Sequence, residues 1–135
     1  MLEKVFVDTM FVLALANEND PYHAQAVKLA DDYDAEQYVI TDAVLLEVGN
    51  ALSRQHRREA AKLIEYFLST DDVEVVRLTP EMLEEALALY KKYLDKTWSL
   101  VDCISFVVMK QKGIRLALTF DQHFKQAGFR ALMRE

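Results

Sequence analysis

Short apolar runs that alternate with longer helical stretches constrain this chain more than any other feature of its sequence. Runs rich in β-branched and aromatic residues have the length of strands, and they lie at residues 5–7, 38–40, 73–78 and 115–120. Between them, apolar residues recur at the spacing of helices. Parallel strands need such helical connections, which cover both faces of a sheet. We therefore predict an α/β fold with α/β/α layers around a central, mainly parallel sheet.

Capping residues, proline and glycine mark the ends of the predicted helices. Asp20 and Pro21 predict a helix start, because Asp caps and Pro is tolerated in the first turn. Ser99 likewise predicts a start and Gly113 a stop. The run at 115–120 is predicted to be the final strand. Helices are predicted over residues 9–16, 20–34, 43–52, 58–68, 80–90 and 100–112.

Composition narrows the class of protein. The 135 residues have the usual size of one domain, so we predict a single domain over residues 1–135. The one cysteine, Cys103, can form neither an internal disulfide nor a multi-cysteine zinc site. This favours a reducing compartment and predicts a cytoplasmic location. No apolar run approaches the roughly 20 residues that span a bilayer, so no membrane partner is expected.

The charge balance excludes one kind of nucleic-acid binder. With 22 acidic and 16 basic side chains the net charge is −6, the wrong sign for a protein that holds nucleic acid mainly through a broad basic surface. A local basic strip formed by Arg54, His56, Arg57 and Arg58 is more typical of a solvated helix end, and RNA contact is the minority interpretation.

Acidic residues fall where a parallel sheet would gather them. Asp8 ends the first predicted strand, Asp121 follows the last, Asp102 lies in the first turn of a helix, and Glu47 lies about two turns into another. The helical neighbours of Glu47 and Asp102 are largely apolar. Since sites in such sheets form beyond the carboxyl ends of the strands, we expect the four side chains to converge at one sheet edge.

Clustered carboxylates point to a metal ion. A buried ionised carboxylate costs several kcal/mol unless it is paired, and like charges repel, so a divalent cation relieves both effects. Oxygen ligands without His or Cys favour a hard cation, here Mg²⁺ or Mn²⁺ rather than zinc. Such an ion can activate water for attack on a phosphodiester, which indicates hydrolysis of a nucleic-acid backbone.

The chain resembles PIN-domain ribonucleases over essentially its whole length, and most closely the VapC toxins of bacterial toxin–antitoxin pairs. Four motifs in order at family-like spacing carry the resemblance: Val5-Phe6-Val7-Asp8-Thr9, Glu47-x-x-Asn50, Ser99-Leu100-x-Asp102 and Thr119-Phe120-Asp121-x-His123-Phe124. The resemblance implies a Mg²⁺-dependent endoribonuclease that acts on RNA, a cognate antitoxin partner and a homodimer.

The resemblance also implies roles for individual residues. Asp8 and Asp102 would be the principal metal ligands, and Glu47 and Asp121 would complete the site. A further set of polar residues would support it through hydrogen bonds and capping: Thr9, Asn50, Ser99 and Thr119.

Each of these residues also has a structural interpretation. Asp102 can be the acidic arm of a capping box begun by Ser99, and Asp121 can be a turn residue. We leave His123 out of the site, because its place two residues after Asp121 is more typical of a structural hydrogen bond than of a ligand or general base. Several neighbours are expected to be core residues rather than functional groups: Trp98, Cys103, Phe106 and Met109.

Other functions remain as alternatives. A haloacid-dehalogenase-like phosphatase usually needs a second Asp two residues after the first, where this chain has Met10. A receiver domain would need a lysine at the end of its last strand, where Thr119 and Phe120 lie. A catalytically silent PIN-like module that binds a partner protein is the non-enzymatic alternative. The acidic pocket could also accept an arginine from an antitoxin in place of the metal.

Overall fold

The computed structural model describes residues 2–135, which form strands and helices in near-regular alternation. No helix in this part of the chain is both long and apolar enough to cross a membrane. The elements in chain order are β1 (Lys4–Val7), α1 (Thr9–Ala16), α2 (His23–Asp32), β2 (Gln37–Thr41), α3 (Asp42–Ala51), α4 (Arg57–Ser69), β3 (Val73–Val76), α5 (Pro80–Lys92), α6 (Leu100–Lys112), β4 (Leu116–Leu118), α7 (Gln122–Gln126), β5 (Arg130–Ala131) and a short 3₁₀ helix (Leu132–Arg134).

All five strands of residues 2–135 lie parallel in one sheet with the order β3-β2-β1-β4-β5. β1 is the middle strand, and Val5 and Phe6 in it are completely buried. Such burial suits an apolar, β-branched strand that is covered on both faces. The predicted α/β/α fold with a mainly parallel sheet is confirmed.

The sheet order brings the ends of β1 and β4 together. Val7 pairs with Leu118 in the parallel register, and the amide of Asp8 donates to the carbonyl of Leu118 at 3.3 Å. Carboxyl ends of neighbouring parallel strands share one edge of a sheet. Asp8 and Thr119, the residues that follow the two strands, are therefore neighbours in space.

The predicted caps at both ends of α6 are confirmed, and Thr41 caps the start of α3. Thr41 Oγ1 accepts the amide hydrogen of Val44 at 3.1 Å, and Ser99 Oγ accepts that of Asp102 at 3.0 Å. Gly113 ends α6 in the left-handed conformation with φ 67°, which a residue with a side chain rarely adopts.

Several predicted boundaries were wrong. α2 begins at His23 rather than at Asp20, because the Asp20 carboxylate accepts the amide hydrogen of Tyr22 at 2.8 Å and closes a turn before the helix. The strands predicted at 73–78 and 115–120 end earlier, at Val76 and Leu118.

The run at 115–120 is also not the last strand. β5 and α7 follow it, and neither was predicted from the sequence. β5 pairs with β4 over only two residues, Arg130 and Ala131. An element of that length leaves no periodicity in the sequence, so its existence depends on the neighbouring strand.

Candidate active site

Asp8 lies at the carboxyl end of the central strand, in the N-cap position of α1. It is only 4% exposed, and its Oδ2 accepts a hydrogen bond from the Thr119 hydroxyl at 2.8 Å. Burial raises the pKa of Asp8 to about 7, the Thr119 hydroxyl opposes this increase, and the negative charges of Asp102 and Asp121 add to it. Asp8 is therefore a buried carboxyl group with two acidic neighbours at this edge of the sheet.

Asp102 lies in the first turn of α6 and is both a cap and a member of the acidic cluster. Its Oδ2 accepts from the backbone amide of Ser99 at 3.1 Å, which completes a capping box with the Ser99 hydroxyl. The capping interpretation of Asp102 is confirmed, and it does not exclude a second role. One carboxylate oxygen serves the cap, and Oδ1 has no hydrogen-bond partner among residues 2–135.

Asp121 is held in the turn that follows β4. Its amide donates to the Thr119 hydroxyl oxygen at 3.0 Å, and its Oδ1 accepts the backbone amide hydrogen of His123 at 2.9 Å. It is the N-cap of α7, so the expectation of a local turn role is also confirmed. Thr119 thus links two acidic residues, since its hydroxyl group donates to the Asp8 carboxylate and accepts from the backbone amide of Asp121.

His123 belongs to the same cluster, which the sequence analysis did not anticipate. One ligand-type atom from each of Asp102, Asp121 and His123 lies within 4.8 Å of the other two. Its Nδ1 lies 2.8 Å from Asp102 Oδ2 and its Nε2 lies 3.0 Å from Thr97 Oγ1. The structural hydrogen bond expected for His123 is present, and its partner is a candidate metal ligand. The short spacing from Asp121 is the only sequence feature that indicated this position.

The structure does not bring every predicted site residue into this cluster. Glu47 is half-buried on α3 and Asn50 is exposed one turn later, and within residues 2–135 neither Glu47 nor Asp8 joins the trio at the 4.8 Å limit. Thr9 is buried beside Asp8. Its Oγ1 is the only buried side-chain polar atom of the described residues without a hydrogen-bond partner. The roles assigned to Glu47, Asn50 and Thr9 stay predictions.

The donor set fits a divalent metal ion. Asp8, Asp102 and Asp121 offer hard carboxylate oxygens. Burial and the negative charges of Asp102 and Asp121 raise the pKa of Asp8, so its ionisation is disfavoured without a cation. The unpartnered Thr9 hydroxyl adds an oxygen that lacks a hydrogen bond in the protein. This acidic cluster can therefore hold a divalent cation at the edge of the sheet.

The residues expected to be structural are in the core. Trp98, Cys103, Phe106 and Met109 are all buried. Burial also raises the pKa of the Cys103 thiol to about 11, with a smaller contribution from the charge of Asp102. A neutral, buried thiol is a poor nucleophile. The carboxylates thus remain the reactive groups of this region.

Known proteins match the chain over nearly its full length. The model of the PIN domain family matches residues 5–130. The 23S rRNA-specific endonuclease VapC20 from two strains of Mycobacterium tuberculosis is 33% identical over 127 residues, which cover 93% of this chain and 95% of the relative.

Two solved structures share the fold. The crystal structure of Mycobacterium tuberculosis VapC20, named as a sarcin–ricin loop cleaving toxin, has a TM-score of 0.86 and 32% identity, with 93% of this chain and 96% of that chain covered. VapBC2 from Rickettsia felis, bound to a promoter DNA fragment, has a TM-score of 0.64 at 15% identity, with 93% of each chain covered, and supports the fold alone. The chain belongs to the PIN-domain family.

Proposed function

We propose that this chain is a metal-dependent endoribonuclease that uses Mg²⁺ or Mn²⁺. The observation that carries the proposal is the acidic cluster: Asp102 and Asp121 offer oxygens within 4.8 Å of each other, and burial together with the charges of both raises the pKa of Asp8 to about 7. A bound cation favours the ionised form of Asp8. The VapC20 relative is a 23S rRNA-specific endonuclease, which supports RNA as the substrate class and makes 23S rRNA the first RNA to test.

The chain's own residues hold and shape the site. When bound, the cation supplies a Lewis acid that lowers the pKa of water and neutralises charge on a phosphodiester. Thr119 fixes the orientation of Asp8, and Ser99 fixes that of Asp102. We assign Asp8 and Asp102 as principal metal ligands, Glu47 and Asp121 as completing ligands, and Thr9, Asn50, Ser99 and Thr119 as supporting residues.

We further propose that the protein is the cytoplasmic toxin of a toxin–antitoxin pair and acts as one domain over residues 1–135. A cleft of about 290 Å³ lies beside α1 and α4, and its apolar lining includes Phe11, Leu15, Leu63 and Tyr66. Such a cleft can bind an apolar surface of a partner protein. An antitoxin arginine that enters the acidic cluster would compete with the cation for the same carboxylates.

The surface of α5 supports the expected homodimer. Leu83, Leu87 and Tyr90 are exposed on one face of the helix, and Leu94 just beyond it is 86% exposed. Glu84 and Lys91 lie on one flank of this stripe. When two copies of α5 pack antiparallel, the Glu84 of one copy faces the Lys91 of the other. The stripe is therefore complementary to itself in shape and charge, as a twofold interface requires.

The decisive experiment is RNA cleavage in Mn²⁺, in Mg²⁺ and in EDTA, with a panel of single-stranded and structured RNAs that includes 23S rRNA. We expect cleavage only with metal, and none by Asp8→Asn or Asp102→Asn. Asp71→Asn is the matched control, because Asp71 is an exposed aspartate outside the site. Equal cleavage by wild type and both site variants would refute the assignment of ribonuclease activity to this site. A folded wild type that cleaves no RNA but binds an antitoxin would instead support the silent interaction module.

A further inference from the structure

His123 contacts two carboxylates of the acidic cluster through its backbone and its ring. Its backbone amide donates to Asp121 Oδ1 at 2.9 Å. Its Nδ1 lies 2.8 Å from Asp102 Oδ2 and 3.3 Å from Asp121 Oδ1, and its Nε2 lies 3.0 Å from Thr97 Oγ1. The side chain is only 19% exposed. The imidazole therefore lies between the carboxylates of Asp102 and Asp121 on one side and the hydroxyl group of Thr97, in the loop before α6, on the other.

These partners determine which ring nitrogen donates. An ionised carboxylate can only accept, so Nδ1 carries a hydrogen and donates to Asp102. In the neutral ring Nε2 is then an acceptor, and the Thr97 hydroxyl can donate to it. Nδ1 then has no lone pair to offer, and that of Nε2 accepts from Thr97, so neither ring nitrogen is available to a metal ion.

The same contacts restrict Asp102. Its Oδ2 receives hydrogen bonds from two directions, the Ser99 amide at 3.1 Å and the His123 ring at 2.8 Å. This fixes the plane of the carboxylate and leaves Oδ1 as the oxygen without a partner in the described part of the chain. Residues that hydrogen-bond to a metal ligand and fix its orientation in this way change the affinity of the site for its metal.

We propose that His123 is a positioning residue that holds the Asp102 carboxylate with Oδ1 free for the cation, and that it is not itself a metal ligand. The proposal rests on the proposed function, because it assumes that Asp102 binds the metal. α7 thereby has a purpose in the site: it carries the ring that connects the loop of Asp121 to the first turn of α6.

Substitutions at His123 separate the contact to Asp102 from the contact to Thr97. The amide nitrogen of Asn lies near the place of Nδ1 and can still donate to Asp102, whereas that of Gln extends to the place of Nε2. We therefore compare His123→Asn, His123→Gln and His123→Ala for Mn²⁺ affinity, measured by electron paramagnetic resonance without RNA. His56→Gln is the matched control outside the cluster, and thermal unfolding in EDTA establishes that each variant is folded.

We expect His123→Gln and His123→Ala to weaken Mn²⁺ binding by roughly 10- to 100-fold, which is the usual effect of removing a hydrogen-bond partner of a metal ligand. His123→Asn should bind Mn²⁺ within about threefold of wild type, because it keeps the hydrogen bond to Asp102. The electron spin-echo modulation of bound Mn²⁺ should show no signal from a directly coordinated ¹⁴N. A coordinated nitrogen in wild type, or equal losses in His123→Asn and His123→Gln, would overturn the positioning role. Wild-type protein that binds no Mn²⁺ would refute the proposed function itself, and the positioning role with it.

Discussion

The hydroxyl group of Thr119 donates to Oδ2 of Asp8 across 2.8 Å, and both residues are buried. The contact exists because β1 and β4 are parallel neighbours that end in register. It opposes the effect of burial on the pKa of Asp8. Thr119 therefore stabilises the ionised form of the carboxylate that a metal ion needs.

Thr119→Val should destabilise the metal-free protein by about 1–3 kcal/mol, since the buried carboxylate loses its donor. The loss should be larger at pH 8 than at pH 5, because the hydrogen bond favours the ionised form of Asp8. Urea denaturation in EDTA measures both values. Thr119→Ser keeps the hydroxyl group and is the control. A loss in Thr119→Val that does not change with pH would contradict this role of the hydroxyl group, and any loss in Thr119→Ser measures the contribution of the methyl group alone.

The raised pKa of Asp8 predicts how stability depends on pH without metal. The pKa of Asp8 is about 7 in the folded state and 3.8, the ordinary value of an aspartate, in the unfolded chain, so between these values the folded state binds more protons than the unfolded state. Stability therefore falls as pH rises through this window, by on the order of 4 kcal/mol if Asp8 acts alone. Asp8→Asn removes this contribution.

Denaturation in EDTA from pH 4 to pH 8 tests this relationship. Asp8→Asn should gain stability relative to wild type as the pH rises, and Mn²⁺ should restore wild type but not the variant. A constant difference between the two proteins across the window would contradict a raised pKa at Asp8.

Leu87→Glu should convert a dimer into a monomer, because it places a charge in the centre of the exposed α5 stripe. Light scattering after size exclusion gives the mass of each protein. Leu78→Glu, at another exposed leucine outside the helix, is the control. A wild type that is already monomeric at high concentration would remove the dimer proposal.

Cys103 should resist modification by a thiol reagent in the folded state. A rise of its pKa from 9.0 to about 11 leaves roughly 100-fold less thiolate at pH 8, and the thiol is completely buried. The rate should increase sharply in guanidinium chloride. Modification at the same rate in both conditions would show that the α6 core opens readily.

Local patterns predicted the parts of the site that depend on single elements. Asp8 and Asp102 could be placed because a strand end and a helix cap are visible in the sequence. The contacts of His123 could not, because they require α7, a five-residue helix without a readable period, and a loop that brings Thr97 to it. The place of Glu47 depends on the angle at which α3 crosses the sheet, which no local pattern specifies.

The middle position of β1 affects the order in which the acidic cluster can assemble during synthesis. Thr119 and Asp121 are made more than one hundred positions after Asp8. Until β4 is added, β1 has a sheet neighbour on one side only. A nascent chain that carries Asp8 thus lacks the residues that complete the acidic cluster until Thr119 and Asp121 have also been translated.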